Sequence, residues 1–100
     1  MLLLIDDVRD LRVDAIARNA EAGRVLLSVG CWDTLYLDHD LGDTSAETGY
    51  GVLVWALEQG LVPHNVTLVT SNPTGRLRME SALRGGGYLS VDGRNFTKGN

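Results

Sequence analysis

The chain has one cysteine, Cys31, so it cannot close an internal disulfide and suits a reducing cytosol. Cys31 is expected to be a small buried apolar residue. No apolar run approaches bilayer-spanning length. The opening MLLLI is too short for the core of a signal peptide and lacks a basic lead. A cytoplasmic location and no membrane partner are therefore expected. Basic residues are also thin: nine Lys and Arg stand against thirteen Asp and Glu, for a formal net charge of -4. A nucleic-acid partner calls for clustered Lys and Arg, so it is not expected here. There are no internal repeats and no low-complexity segment. Residues 92–100 have no periodicity and read as a loosely ordered C-terminal tail.

What remains is ordinary globular material. With 100 residues and a hydrophobic share of 44 %, the chain can build one domain with one core, placed at residues 1–91. Leu2–Ile5 is a continuous apolar run, as in a strand buried on both faces. Residues 13–17, VDAIA, read as a second strand. The loop before it is shorter than the dozen or so residues of a parallel crossover, so that strand is expected to be antiparallel and at an edge. The alternative is that residues 8–22 form largely one helix. Asn19 as N-cap opens a helix to about Gly30. TLYL at 34–37 is a strand ending at Asp38. Residues 50–59 have helical spacing and end on Gly60, where a glycine cap belongs. VTLVT at 66–70 is a strand. Asn72 as N-cap and Pro73 at the first helical position open a helix to about Arg84, and residues 88–91 are a last short strand. Strands alternating with helices imply a mostly parallel sheet with helices on its faces.

Three of these strands end in polar groups: Asp6-Asp7, Asp38-His39-Asp40 and Thr70-Ser71-Asn72. In a parallel sheet all carboxyl ends open on one edge, where ligands bind. Carboxylates gathered there repel one another unless a cation sits between them, and hard oxygen donors suit Mg²⁺ or Mn²⁺. Asp also favours turns and caps without any metal. It is the sharing of one edge by three strand ends that favours a metal site at Asp6, Asp7 and Asp38. His39 reads as a general acid/base or a ligand for a softer metal, and equally as a loop histidine paired with a neighbouring Asp. His64, before a strand, falls on the opposite edge and reads as surface. In SNPTGRLR, the helix N-terminus at Asn72 and the nearby Arg76 and Arg78 would suit a phosphate. An ordinary capped helix with solvated arginines accounts for the same residues.

These residues carry a resemblance. The acidic pair after the first strand, the Asp after the third and the Thr-Ser after the fourth look like the response-regulator receiver domain. By that match Asp6 and Asp7 are the acidic pair, Asp38 the phosphate acceptor and Thr70 the hydroxyl residue. The receiver's Lys-Pro after the fifth strand has no counterpart: Asp92-Gly93 stands there, and Lys98 lies far along the chain. IDDVR, LDHDLG and TSNPTG resemble more closely the cyclic-phosphate processing receiver domains, over nearly the whole chain to about residue 91. Members often have a His where this chain has Thr70. The resemblance implies a compact three-layer, flavodoxin-like α/β sheet of about five mostly parallel strands with reduced helices. It also implies metal ligation by Asp6, Asp7 and Asp38, with Arg9, His39, Asp40, Ser71 and Asn72 in the pocket.

Two functions follow as expectations. One is a metal-dependent phosphoesterase acting on a small phosphate-containing ligand, a cyclic phosphate or nucleotide. In it Asp38 and His39 are catalytic, and Arg9, Asp40, Thr70, Ser71, Asn72 and Arg76 bind substrate. The other is a non-catalytic receiver-like binding or protein-interaction module, of phage or mobile-element origin, whose acidic pocket senses a metal or nucleotide or is vestigial and whose helix face meets a protein partner. The short chain leaves sheet or helix faces uncovered, which also leaves room for a homodimer.

Overall fold

The computed structural model describes residues 1–41 and 47–99. Gly42, which on the sequence lets the chain turn away from the pocket, lies outside the described residues. The elements in chain order are β1 (Leu2–Ile5), β2 (Ala15–Ala17), α1 (Ala20–Val29), β3 (Thr34–Leu37), α2 (Gly49–Gln59), β4 (Asn65–Leu68), α3 (Pro73–Gly85), β5 (Tyr88–Leu89) and β6 (Asn95–Lys98). They form one six-stranded sheet in the order β2-β1-β3-β4-β6-β5. The first four strands are mutually parallel, whereas β6 runs antiparallel to both β4 and β5. This is the receiver-like order 2-1-3-4-5 with one strand inserted before the last.

The caps explain where the helices begin and end. Asn19, Thr48 and Asn72 each accept a backbone N–H of the first turn, from Ala22, Gly51 and Gly75 respectively. Gly60 closes α2 in the left-handed region, with φ of 70°, a conformation a side chain would strain. Along the strands, alternate residues enter one core. Leu3, Ile5, Leu35, Leu37, Val66, Leu68 and Phe96 join Leu27, Leu53, Met79 and Leu83 from the three helices. Each buried Leu contributes about 1.5–3 kcal/mol.

The second strand is at the edge, as expected, but it is parallel to β1, not antiparallel. Residues 6–14 make the crossing without a helix. Extended chain reaches about 3.3 Å per residue, or roughly 30 Å for this loop, ample to return along a four-residue strand of roughly 13 Å. Arg18 holds the loop in place. Its guanidinium donates to the Arg9 carbonyl at 2.7 Å and to the Asp6 carbonyl at 3.4 Å, and it pairs with Asp10. Right-handed crossovers put this loop on the face opposite α1, α2 and α3. Leu4 fits that placement: it is fully buried yet stands apart from the helix-covered core. The expected reduction in helices therefore falls on one face, and no described helix forms a third layer there.

Two further expectations change. Residues 95–98, expected from the sequence to lie in a loose tail, form β6 between β4 and β5, with Phe96 in the core. Cys31 is exposed. The neighbouring Trp32 takes the place against the core instead and donates its indole N–H to the Leu26 carbonyl at 2.7 Å. No helix among the described residues is long and apolar enough to cross a membrane.

Candidate functional site

Register brings the strand ends together. Ile5 pairs with Leu37, and Leu37 with Leu68. The ladder continues one residue further: Asp6 N–H donates to Ala17, Asp38 N–H to Ile5 and Val69 N–H to Leu37, each at 3.0 Å. Asp6 and Asp38 are thus neighbours across adjacent strands, with Thr70 one residue beyond on the next. Asp6, Asp7 and Asp38 each bring a carboxylate oxygen to within 4.8 Å of the others.

The three carboxylates are held differently. Asp6 is buried. Its Oδ1 accepts the Val8 and Arg9 N–H groups, both at 3.0 Å, and its Oδ2 accepts Arg9 Nε at 3.2 Å. This ion pair uses Nε, and the remaining guanidinium donors of Arg9 are not needed for it. Asp7 is half-buried. Asp38 accepts its neighbour's N–H, from His39, at 2.8 Å and a hydrogen bond from the Thr70 hydroxyl. Its carboxyl is nevertheless pushed above the usual carboxylate range. Burial is the main cause and the charges of Asp6 and Asp40 add to it, outweighing the two hydrogen bonds. Close carboxylates of which one resists ionisation are what a hard cation would relieve, so the donor set fits Mg²⁺ or Mn²⁺.

Around the carboxylates, Thr70 is buried, its Oγ1 also accepting the Asn72 N–H at 3.0 Å. His39 pairs through Nδ1 with Asp40 Oδ1 at 3.2 Å, with its side chain 13 % exposed and that of Asp40 64 % exposed. Ser71 is exposed beside them. α2 starts directly against this turn. Gly49 N–H donates to the His39 carbonyl at 2.7 Å, and a Cβ at position 49 would lie 1.7 Å from the Asp38 carbonyl oxygen. Only glycine fits there. The sequence conceals this requirement, because glycine is frequent in loops for its backbone freedom alone.

The remaining residues are placed away from the carboxylates or already engaged. Arg76 donates to the Gly93 carbonyl at 3.4 Å and lies 3.8 Å from Glu80, so its guanidinium is committed to the β5–β6 turn. Arg78 stacks over the Tyr50 ring at 4.8 Å. The first turn of α3 is largely self-satisfied: Pro73 has no N–H, and the Gly75 and Arg76 N–H groups both go to Asn72. Lys98 donates its backbone N–H to the His64 carbonyl and its ammonium to the Gly86 carbonyl. Both Lys98 and the exposed His64 therefore lie at the sheet edge opposite Asp38.

The comparison with curated proteins returned no match. The family model described as the cyclic-phosphate processing receiver domain matches residues 1–85. That span carries β1 to α3 and every residue of the carboxylate edge, and leaves out only the β5–β6 hairpin. The chain belongs to the cyclic-phosphate processing receiver domain family.

Proposed function

We propose that the protein is a metal-dependent phosphoesterase acting on a cyclic phosphate or nucleotide at the carboxyl edge of its sheet. The observation that carries this is the meeting of Asp6, Asp7 and Asp38 within 4.8 Å, in a chain whose family is associated with cyclic-phosphate processing. Asp6, Asp7 and Asp38 would hold Mg²⁺ or Mn²⁺, which supplies charge neutralisation and polarisation of a phosphoryl oxygen when bound. Arg9 can receive phosphate oxygens through the guanidinium donors that Asp6 does not use. His39 is the group at this edge suited to carry a proton. Thr70 holds Asp38 and the Asn72 backbone together, which fixes the acidic edge relative to α3.

A second reading, a non-catalytic module that binds metal or nucleotide, draws support from two placements. The first turn of α3 and Arg76 are engaged within the fold, and Lys98 stands at the far edge. The deciding experiment has two steps. Mg²⁺ and Mn²⁺ are titrated calorimetrically into the protein and into Asp38→Asn. A panel of 2′,3′-cyclic phosphates and cyclic nucleotides is then offered to the protein and to His39→Ala. The phosphoesterase reading expects metal binding that Asp38→Asn abolishes, and turnover that falls by about 10²-fold or more in His39→Ala. Metal binding without turnover across the panel establishes the module. No metal binding removes the phosphoesterase and the metal-binding form of the module, and leaves a module that binds nucleotide alone.

A further inference from the structure

The third residue of α3 is a glycine, Gly75, and it is buried. A Cβ built there would lie 2.4 Å from Cγ, 2.5 Å from Cδ2 and 2.8 Å from Nδ1 of the His39 ring, which supplies its three nearest atoms. Carbon contacts this short do not occur, so the imidazole occupies the space that any other residue at 75 would fill. The chain does not need a glycine there for its backbone: position 75 is ordinary helix, and the positive-φ glycines are 60, 87 and 93. The ring edge near Gly75 comprises Cγ, Cδ2 and Nδ1, so Cε1 and Nε2 form its far side. Nδ1 is paired with Asp40 at 3.2 Å. The backbone of His39 is fixed as well, its carbonyl accepting the Gly49 N–H at the start of α2.

We infer that Gly75 and Asp40 are positioning residues for His39. Gly75 makes the slot in which the ring lies, and Asp40 accepts a hydrogen bond from Nδ1–H. Nε2 is thereby left as the nitrogen that faces substrate. In the neutral ring a proton held on Nδ1 leaves Nε2 with its lone pair, the form in which a histidine accepts a proton. This rests on the phosphoesterase reading for its consequence, while the slot and the tautomer can be tested without any substrate.

The slot is read from one substitution in two backgrounds. Glycine in a helix is less stable than alanine, so Gly75→Ala taken by itself should stabilise. With His39 present it should instead lower the melting temperature, by about 4–8 °C if the collision costs as much as a typical destabilising substitution in a chain this size. In a His39→Ala background the same change should raise it. A sign reversal of this kind is the mark of direct coupling. If Gly75→Ala has the same sign in both backgrounds, the slot is refuted. The chain has two histidines, so ¹⁵N-edited imidazole spectra resolve His39 against the exposed His64. The Nδ1–H tautomer should dominate at His39 and be lost in Asp40→Ala. An Nε2–H form that Asp40→Ala leaves unchanged refutes the role of Asp40. Where turnover exists, Gly75→Ala should lower kcat toward that of His39→Ala, and the double variant should be no slower than His39→Ala alone. Absence of turnover with an intact sign reversal and tautomer would refute the phosphoesterase reading and leave the positioning in place.

Discussion

Asp38 and Asp92 both stand in turns at strand ends, and their surroundings treat them in opposite ways. Asp92, between β5 and β6, accepts the backbone N–H of Asn95 at 2.8 Å, the Asn95 side-chain amide at 2.9 Å and the Arg94 N–H at 2.9 Å, with the Ser90 hydroxyl at 3.1 Å. These donors hold its carboxyl far below the usual range, the Asn95 N–H first among them. Asp38 has two donors against burial and two carboxylates, and is pushed the other way. A turn that exists to close a hairpin directs its donors onto its own carboxylate. A turn that gathers carboxylates with too few donors holds them ready for something from outside. The contrast separates Asp as a structural residue from Asp as a candidate ligand, which residue type alone does not.

Asp6 tests how sharp that contrast is, because it lies in the cluster yet is held by three donors, much as Asp92 is held by four. Asp6→Ala is expected to have the largest effect on stability. It strands the Val8 and Arg9 N–H groups and the Arg9 guanidinium, at a cost of about 1–3 kcal/mol. Urea denaturation should show a lower midpoint at unchanged m-value. An unchanged midpoint would mean that Asp6 belongs wholly with Asp38, as a ligand with no structural share.

Asp92→Ala comes next. Its carboxylate is fully exposed and screened, so a modest fall in melting temperature is expected, confined to the hairpin. Amide exchange should accelerate at Phe96 and Lys98, while Leu4 and Tyr36 in β1 and β3 keep their protection. The pH dependence has a definite sign. A carboxyl held low in the folded state stabilises above the ordinary carboxylate range, and that contribution is lost as pH falls through the range. Asp92→Ala should therefore flatten the acid limb of the stability profile. Uniform acceleration across the sheet would show that the hairpin unfolds only with the whole domain.

The same contrast explains what was legible in the sequence. The ends of β1 and β3 and the caps at Asn19, Gly60 and Asn72 follow from local signals: apolar runs that stop at Asp, and residues whose side chains or conformations suit helix ends. The gathering of Asp6, Asp7 and Asp38 follows from parallel register alone. β6 was not legible, because Asn-Phe-Thr-Lys offers one apolar residue, and its place depends on the gap between β4 and β5 that Phe96 fills. Arg76 was misleading for the same reason, since its partner Gly93 lies in the turn that β6 creates. The direction of β2 depends on a loop tied by Arg18, which on the sequence reads only as a stop before a cap. Gly75 was visible within SNPTG, but its meaning required the His39 ring beside it.

Asp38→Asn has the smallest expected effect and the most telling direction. The amide is nearly isosteric and its oxygen can still accept from the His39 N–H, so packing is preserved while the buried negative charge goes. A group whose folded-state value is raised contributes its stability fully below the ordinary carboxylate range, and that contribution is lost as pH rises through the raised value. At low pH the protein and Asp38→Asn should therefore melt together, both neutral at position 38. As pH rises, the metal-free protein should fall below the variant. Excess Mg²⁺ should reverse the order, stabilising the protein by about 1.4 kcal/mol at tenfold the dissociation constant and leaving the variant unmoved. Asp92→Asn, measured alongside, should fall below the protein at neutral pH and ignore the metal. If Asp38→Asn behaves like Asp92→Asn, the crowding of carboxylates at the sheet edge is structural and the edge is not a cation site. If the two diverge as pH and Mg²⁺ are varied, the edge is held in a state that only a bound cation completes.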